Sequence, residues 1–172
     1  DPTPVSIASL AASSNTQAMP ADIQFASDVF NEFLSIRRDS KLFRLTDEQS
    51  IIDRVGFHNI GGNQTHGVVV MSIDDGTGLP DLDPSVDALV VMINGTENDY
   101  THTIPTASGF ELHPTLMASV DPAMANAQFT AGTDEGSFTV PARTMAVFVK
   151  PQSGAQGEGL SAYATSGAPD SQ

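Results

Sequence analysis

Apolar side chains recur at three- and four-residue spacing from Ile23 through Ala26, Val29 and Phe30 to Phe33 and Leu34. That is the helical period, and it predicts an α-helix from about Ala21 to Arg38. Pro20 suits the first turn, where a missing N–H leaves no bond unmade. Asp22 and Asp28 lie early and Arg37 and Arg38 late, as the helix dipole favours. Phe25 and Ile36 widen the apolar stripe beyond the needs of a one-sided surface helix, so neighbours on two sides are expected. Ahead of it, residues 1–19 are rich in Ser, Ala, Thr and Pro and read as an arm with a helical turn near Val5 to Ala12. After it, Thr46, Asp47 and Glu48 open one more turn through Ile52, which closes a helical segment spanning 20–52.

From there the period changes. Val55 to Asn59 reads as a strand, Gly61 to Gln64 as a turn, and Val68 to Ile73 as a buried β-branched strand. Asp74 to Asp87 is a Gly/Pro/Asp loop. Ala88 to Asn94 is another buried strand, closed by the turn signal Asn94-Gly95. Short segments at Tyr100 to Ile104, Phe110 to Leu112, Gln128 to Thr130, Ser137 to Val140 and Thr144 to Lys150 follow, each bounded by Gly, Pro or Asp. The expected fold is all-β: an antiparallel β-sandwich of about seven or eight strands over 53–150, preceded by one long α-helix. The expected core is Val55, Phe57, Val68, Val70, Leu89, Val91, Ile93, Phe129, Phe138, Val140, Ala146 and Phe148. Residues 151–172, Gly, Ser, Ala, Gln and Pro with almost no large apolar group, read as a flexible tail.

Composition narrows the function. The 172 residues carry 7 Lys and Arg against 21 Asp and Glu, a net charge of −14. A nucleic-acid surface needs clustered cations, and an anionic membrane surface needs them too, so neither is a partner. No apolar run is long enough to span a bilayer. Without cysteine there is no disulfide, thiolate nucleophile or Cys-ligated zinc. The opening Asp1-Pro2-Thr3-Pro4 has neither an initiator Met nor the features of a signal peptide, so the chain is expected to begin inside a longer product or after processing.

Candidate chemistry is sparse. His58, His66, His102 and His113 show no metal-ligand spacing; His58 and His102 fall in predicted strands as structural histidines, and His113-Pro114 as a turn. The loop carrying Asp74, Asp75, Asp81, Asp83 and Asp87 has the oxygen ligands that calcium takes, with Asp81, Asp83 and Asp87 as the candidates. It lacks the EF-hand spacing and the closing Glu, so a solvated loop without calcium is the reading preferred. There is no Gly-x-Ser-x-Gly elbow, and Gly61-Gly62 has neither Lys nor helix behind it. Spacing alone names no carboxylate pair for sugar hydrolysis. A flat sugar-stacking platform is also missing, since there is no Trp and only Tyr100 and Tyr163 as tyrosines. No catalytic, cofactor-binding or metal residue is therefore assigned, and no cofactor is expected.

Two groups of segments nevertheless carry a likeness. "FNEFLSIRRDSKLFRLT" (Phe30 to Thr46) resembles the last helix of the catalytic barrel in the α-amylase clan of glycoside hydrolases, and Leu42 to Leu45 resembles the pullulanase-type debranching enzymes in particular. "VGFHNIGGNQTHGVVVMSIDDG" (Val55 to Gly76), "DLDPSVDALVVMINGT" (Asp81 to Thr96), "FELHPTLMAS" (Phe110 to Ser119) and "GSFTVPARTMAVFV" (Gly136 to Val149) are similar, in order, to the C-terminal β-domain of those enzymes. The resemblance covers about residues 20–150, and Thr139 to Phe148 is its most specific phrase.

The resemblance implies a parent that hydrolyses α-1,6-glucosidic bonds in starch or glycogen with carboxylates on earlier barrel strands. None of those motifs occurs here, so the chain is expected to be inert alone. Its implied partners are the parent's catalytic barrel and, through the parent, α-glucan, with weak self-association through the exposed helix face when the barrel is missing. The competing readings are an independent carbohydrate-binding module and a structural β-sandwich of a secreted protein. Acidity and the absence of cysteine are compatible with an extracellular or cell-surface setting.

Overall fold

A computed structural model describes residues 7–161. Helix α1 (Ile7–Ala11) is a short exposed piece. Helix α2 (Pro20–Asp39) follows with Pro20 in its first turn, and the Met19 N–H donates to Asp22 Oδ2 at 2.8 Å. Ser40 ends α2 and caps the 3-10 turn Lys41–Arg44 through the Leu42 N–H. Asp47 Oδ1 accepts the Ser50 N–H and caps α3 (Glu48–Arg54). Eight strands follow: β1 (Val55–Phe57), β2 (Val68–Asp74), β3 (Val86–Asn94), β4 (Tyr100–Pro105), β5 (Glu111–Leu112), β6 (Gln128–Ala131), β7 (Glu135–Val140) and β8 (Thr144–Pro151). Helix α4 (Pro114–Met117) sits between β5 and β6. Among the described residues, no helix is long and apolar enough to cross a membrane.

The strands form two antiparallel sheets, one ordered β1-β2-β3-β8-β5 and one ordered β4-β7-β6. Register decides which residues share a face, because directly paired residues point to the same side. Val70, Met92 and Ala146 pair in one row, and Ser72, Val90 and Phe148 in the next. These rows face the second sheet, as the rings show: Phe138 of β7 lies 5.2 Å from Phe148 and 5.2 Å from Phe110, both edge-on. Edge-to-face contact suits the quadrupoles of the rings and seals the two sheets together. The intervening rows, Ile73-Leu89-Val149 and Met71-Val91-Val147, point the other way.

That second face is covered by helix. Phe33, Ile36 and Phe43 line a common cavity with Val91, Met145 and Val147, so α2 and the turn after it lie on the outer side of the five-stranded sheet. The molecule therefore has three layers: helices, five strands, three strands. Asn94, 1% exposed, ties the β3–β4 turn: its amide donates to the carbonyls of Asn98, Val140 and Pro141, and its oxygen accepts from Thr96. A buried polar side chain so completely satisfied costs little and fixes the geometry of the turn.

Eight of the twelve expected core residues are buried, and Val55 and Phe129 are partly buried against them. Phe57 and Ile93 are not: they are 51% and 42% exposed. Both stand on the outer face of the five-stranded sheet, beyond the reach of α2. Conversely, Ala88, Val90 and Met92, left out of the expected core, are completely buried. Strand β3 is covered on both faces, so alternation alone cannot rank its residues.

The expected flexible tail needs correction over its first part. Residues 152–160 fold back as a strap across the loop after β2. Gln156 Nε2 donates to the carbonyls of Asp75, Gly76 and Leu79, the Gly157 N–H to Asp87 Oδ1 and the Leu160 N–H to Asp74 Oδ1. Gly76 and Gly159 let the two backbones touch, since a Cβ on Gly76 would collide with the backbone of Gly159. Leu160, the one large aliphatic residue of this stretch, is 1% exposed and plugs the core. Residues 162–172 of the expected tail and 1–6 of the expected arm lie outside the described residues. Leu160→Ala should cost about 2–5 kcal/mol of stability, the range for a buried Leu truncated in a core. Urea denaturation measures it, and an unchanged midpoint would show that the strap does not belong to the folded unit.

Candidate functional site

Three arrangements bring chemistry-bearing side chains together. The first is the loop between β2 and β3. Arg54 ends α3 with its side chain 2% exposed, and its Nη1 pairs with Asp75 Oδ1. The same guanidinium donates to the Asp74 carbonyl at 3.0 Å and the Pro80 carbonyl at 2.6 Å. Asp75 Oδ2 accepts the N–H groups of Leu82 (3.1 Å) and Asp83 (2.8 Å). Burial pushes the Asp75 carboxyl up from its ordinary range, against the pull of the Asp83 and Leu82 amides and of Arg54. Four backbone groups of the loop converge on this buried ion pair, which closes the loop.

The expected calcium candidates are dispersed by the same logic. Asp83 Oδ1 accepts from the Ser85 N–H and hydroxyl, Asp87 Oδ1 from the Gly157 N–H, and Asp81 Oδ2 from Gln152 Nε2. Among the described residues, no group of three or more His, Asp or Glu is placed to hold a metal ion. The loop is also not simply solvated: Asp75, Asp83 and Asp87 are buried. Their oxygens are consumed by amide donors from the loop and strap, which replaces the water they give up. Sequence reading missed Arg54 and Asp75 as a pair because 21 positions separate them.

The second arrangement lies between the sheets. His58 Nε2 stands 2.8 Å from Ser72 Oγ, and the His58 ring is 6.5 Å from that of His102. His102 Nδ1 in turn meets the Tyr100 hydroxyl at 3.0 Å. The Ser–His contact has the form of a nucleophile and base, but Ser72 is completely buried and His58 is 8% exposed. Burial holds His58 down to about 4, with repulsion from His102 adding to it, and burial also lowers His102. His58 lies one residue past the end of β1, and His102 lies on β4. His113 instead caps α4, accepting the Thr115 N–H, and is lowered by burial against the opposing charge of Asp39. His66 is exposed.

The third arrangement is a surface. Phe25, Val29, Phe30 and Phe33 of α2 form an apolar cleft of about 390 Å³ with Leu116, Met124 and Met145 of the sandwich. Glu32 locks the helix there, accepting from the Ser119 hydroxyl at 2.6 Å and the Val120 N–H at 2.8 Å. Further round the helix Ile23 and Leu34 are 61% and 45% exposed, and Phe30, at the rim of the cleft, is 62% exposed. The wide stripe read from the sequence thus has one side seated and the other open.

A family model described as "Alpha-1,6-glucosidases, pullulanase-type, C-terminal" matches residues 5–151. The chain belongs to that family. It is 37% identical over 131 residues to pullulanase 1, chloroplastic, of Arabidopsis thaliana, which covers 73% of this chain and 13% of the relative. It is 33% identical over 141 residues to a pullulanase of Klebsiella pneumoniae, covering 81% of this chain and 13% of the relative. A crystal structure of Klebsiella pneumoniae pullulanase complexed with maltotriose superposes with a TM-score of 0.73 at 30% identity, over 90% of this chain and 15% of that one. A pullulanase from Bacillus acidopullulyticus shares the fold at a TM-score of 0.52 and 16% identity. The chain is thus a C-terminal pullulanase domain and spans about an eighth of the length of its curated relatives.

Arg54→Met should destabilise this pullulanase-type domain by about 3–5 kcal/mol, because it strands the buried Asp75 charge without its partner. Chemical denaturation reads this, and Arg54→Met with Asp75→Asn should recover part of the loss. The histidines set a pH dependence. Unfolded His58 takes up its proton near 6.5, whereas the folded protein resists until about 4. The stability this represents is present above pH 6.5 and lost as pH falls toward 4, on the order of 3 kcal/mol at about 1.4 per unit. Asp75, shifted upward, works in the opposite sense near the acid end. The His58 contribution is therefore read as the difference between the wild type and His58→Gln, whose pH slope should be flatter across this window.

Proposed function

We infer that this chain is the non-catalytic C-terminal portion of an enzyme that hydrolyses α-1,6-glucosidic bonds in starch or glycogen, and that it covers and stabilises the catalytic barrel of that enzyme. The observation that carries the reading is α2, held by Glu32 and Phe33 on one side while Ile23, Phe30 and Leu34 face outward. A helix so apolar on its outward side is unfavourable in water and favourable between two bodies. The chemistry of the interior agrees. A glycosidase needs two carboxylates flanking a sugar, but Asp74, Asp75, Asp83 and Asp87 are each bonded to backbone amides of their own loop or strap.

The reading as an independent carbohydrate-binding module finds less support. Tyr100 is half-buried with its hydroxyl on His102, so it presents no flat face to a sugar ring, and Tyr163 lies outside the described residues. Separated from its barrel, the outer face of α2 favours weak self-association, which the net charge of −14 opposes. A secreted or cell-surface parent is part of the same proposal, on the strength of acidity and the lack of cysteine alone.

The isolated chain should release no reducing sugar from pullulan, and the parent enzyme should melt at a lower temperature when these residues are removed. Sugar release by the pure chain, or an unchanged melting temperature of the shortened enzyme, would overturn the reading.

A further inference from the structure

The five-stranded sheet has an uncovered strip on the side that carries the helices. Val69, Ile93 and Met145 stand in one row there, since Val69 pairs with Ile93 and Ile93 with Met145. Val69 is 43% and Ile93 42% exposed, and Phe57 on the edge strand is 51% exposed. The outer side of the three-stranded sheet shows how this same molecule builds a surface for water. There Thr101 Oγ1 meets Thr139 Oγ1 at 2.8 Å, and Thr103 Oγ1 meets Ser137 Oγ at 2.8 Å, across the strands. Hydroxyl pairs on one outer face and aliphatic pairs on the other mark two different surroundings.

The strip is continuous with the helix. Met145, at the end of the row, also lines the cleft with Phe25, Phe30 and Phe33. We propose that Phe57, Val69 and Ile93 form the second arm of one docking surface whose first arm is the outward face of α2, and that its occupant is an apolar flank of the catalytic part of the same polypeptide. The proposal rests on the reading given under Proposed function and adds where the second contact lies.

Three observations select this occupant. The chain spans only 13% of its curated relatives, so a partner on the same polypeptide meets the surface at high effective concentration. A second copy would bring another −14 charge to the contact. An α-glucan would want a flat ring to stack on, and the strip is mainly aliphatic.

The chain has no cysteine, so one introduced at a chosen position is unique within it. Ile93→Cys, Phe30→Cys and the control Thr101→Cys would be alkylated in the isolated chain and in the whole enzyme at low protein concentration, with rates read peptide by peptide by mass spectrometry. The expected result is labelling of Ile93→Cys and Phe30→Cys slowed at least about tenfold in the whole enzyme, the equivalent of a modest contact energy, with Thr101→Cys unchanged. Val69→Cys repeats the measurement on the same row should Ile93→Cys fold poorly. Protection of Phe30→Cys without protection of the row overturns the proposal and leaves the covering role intact. Absence of protection at both overturns both. Protection already present in the isolated chain and lost on dilution assigns the row to a second copy, and protection that needs added maltotriose assigns it to sugar; either result overturns the proposal.

Discussion

Strand β3 presents water with almost nothing along its length. Val86 to Met92 are buried on both sides of the strand, and only Ile93 emerges before Asn94 closes it. A strand apolar on both faces cannot end a two-layer protein. It requires one cover on each side, and the layout of the molecule follows from that requirement. The three-stranded sheet supplies one cover through Phe138, and α2 with the turn after it supplies the other through Ile36 and Phe43. The second cover is shorter than the sheet it lies on, which is why Val69, Ile93 and Phe57 are left in the open.

The same constraint explains the polar architecture at the far end. Once the ends of β2 and β3 next to their joining loop are buried on both faces, the loop must leave the core without stranding its peptide groups. Arg54 and Asp75 do this together. Each carries a charge that would be costly to bury alone, and between them they satisfy two carbonyls and two N–H groups of the loop. A hydrophobic replacement of the pair could match its stability, since the gain from a buried ion pair is largely cancelled by desolvation. It could not supply those four backbone partners, so the pair is better understood as holding a loop conformation than as adding net stability. The strap at 152–160 extends the same scheme, with Asp74 and Asp87 receiving its amides.

The local elements were legible in the sequence wherever a pattern has one cause. The helical period of 20–39 and the run of short strands each reflect burial on a defined face, so the sandwich and its leading helix could be read directly. Phe57 and Ile93 were misjudged because a strand pattern tells which residues share a face but not how far a neighbouring layer extends over it. Leu160 was missed because a lone aliphatic residue in a Gly/Ser/Gln stretch carries no period. The acidic loop looked solvated because its carboxylates find donors on distant segments, and no local spacing announces a bond between Asp87 and Gly157, 70 positions apart. The family phrases added what periodicity could not, the link between this end piece and a glycosidase.

How the helix is fixed bears on how such an end piece could stabilise a larger enzyme. Glu32 reaches the Ser119 hydroxyl and the Val120 N–H with its two carboxylate oxygens, a bidentate contact between elements 87 and 88 residues apart. Together with Phe33 and Ile36 it makes α2 part of the sandwich rather than a separate arm. An outward face mounted on a rigid body loses little conformational entropy when it docks, whereas the same face on a loose helix would first have to be ordered. The exposed Ile23, Phe30 and Leu34 are therefore presented in a fixed frame, and so are Val69 and Ile93, held by the sheet ladder. On the proposed reading, two apolar patches fixed relative to one another meet a complementary surface in only one orientation, which is a geometric role for this acidic domain.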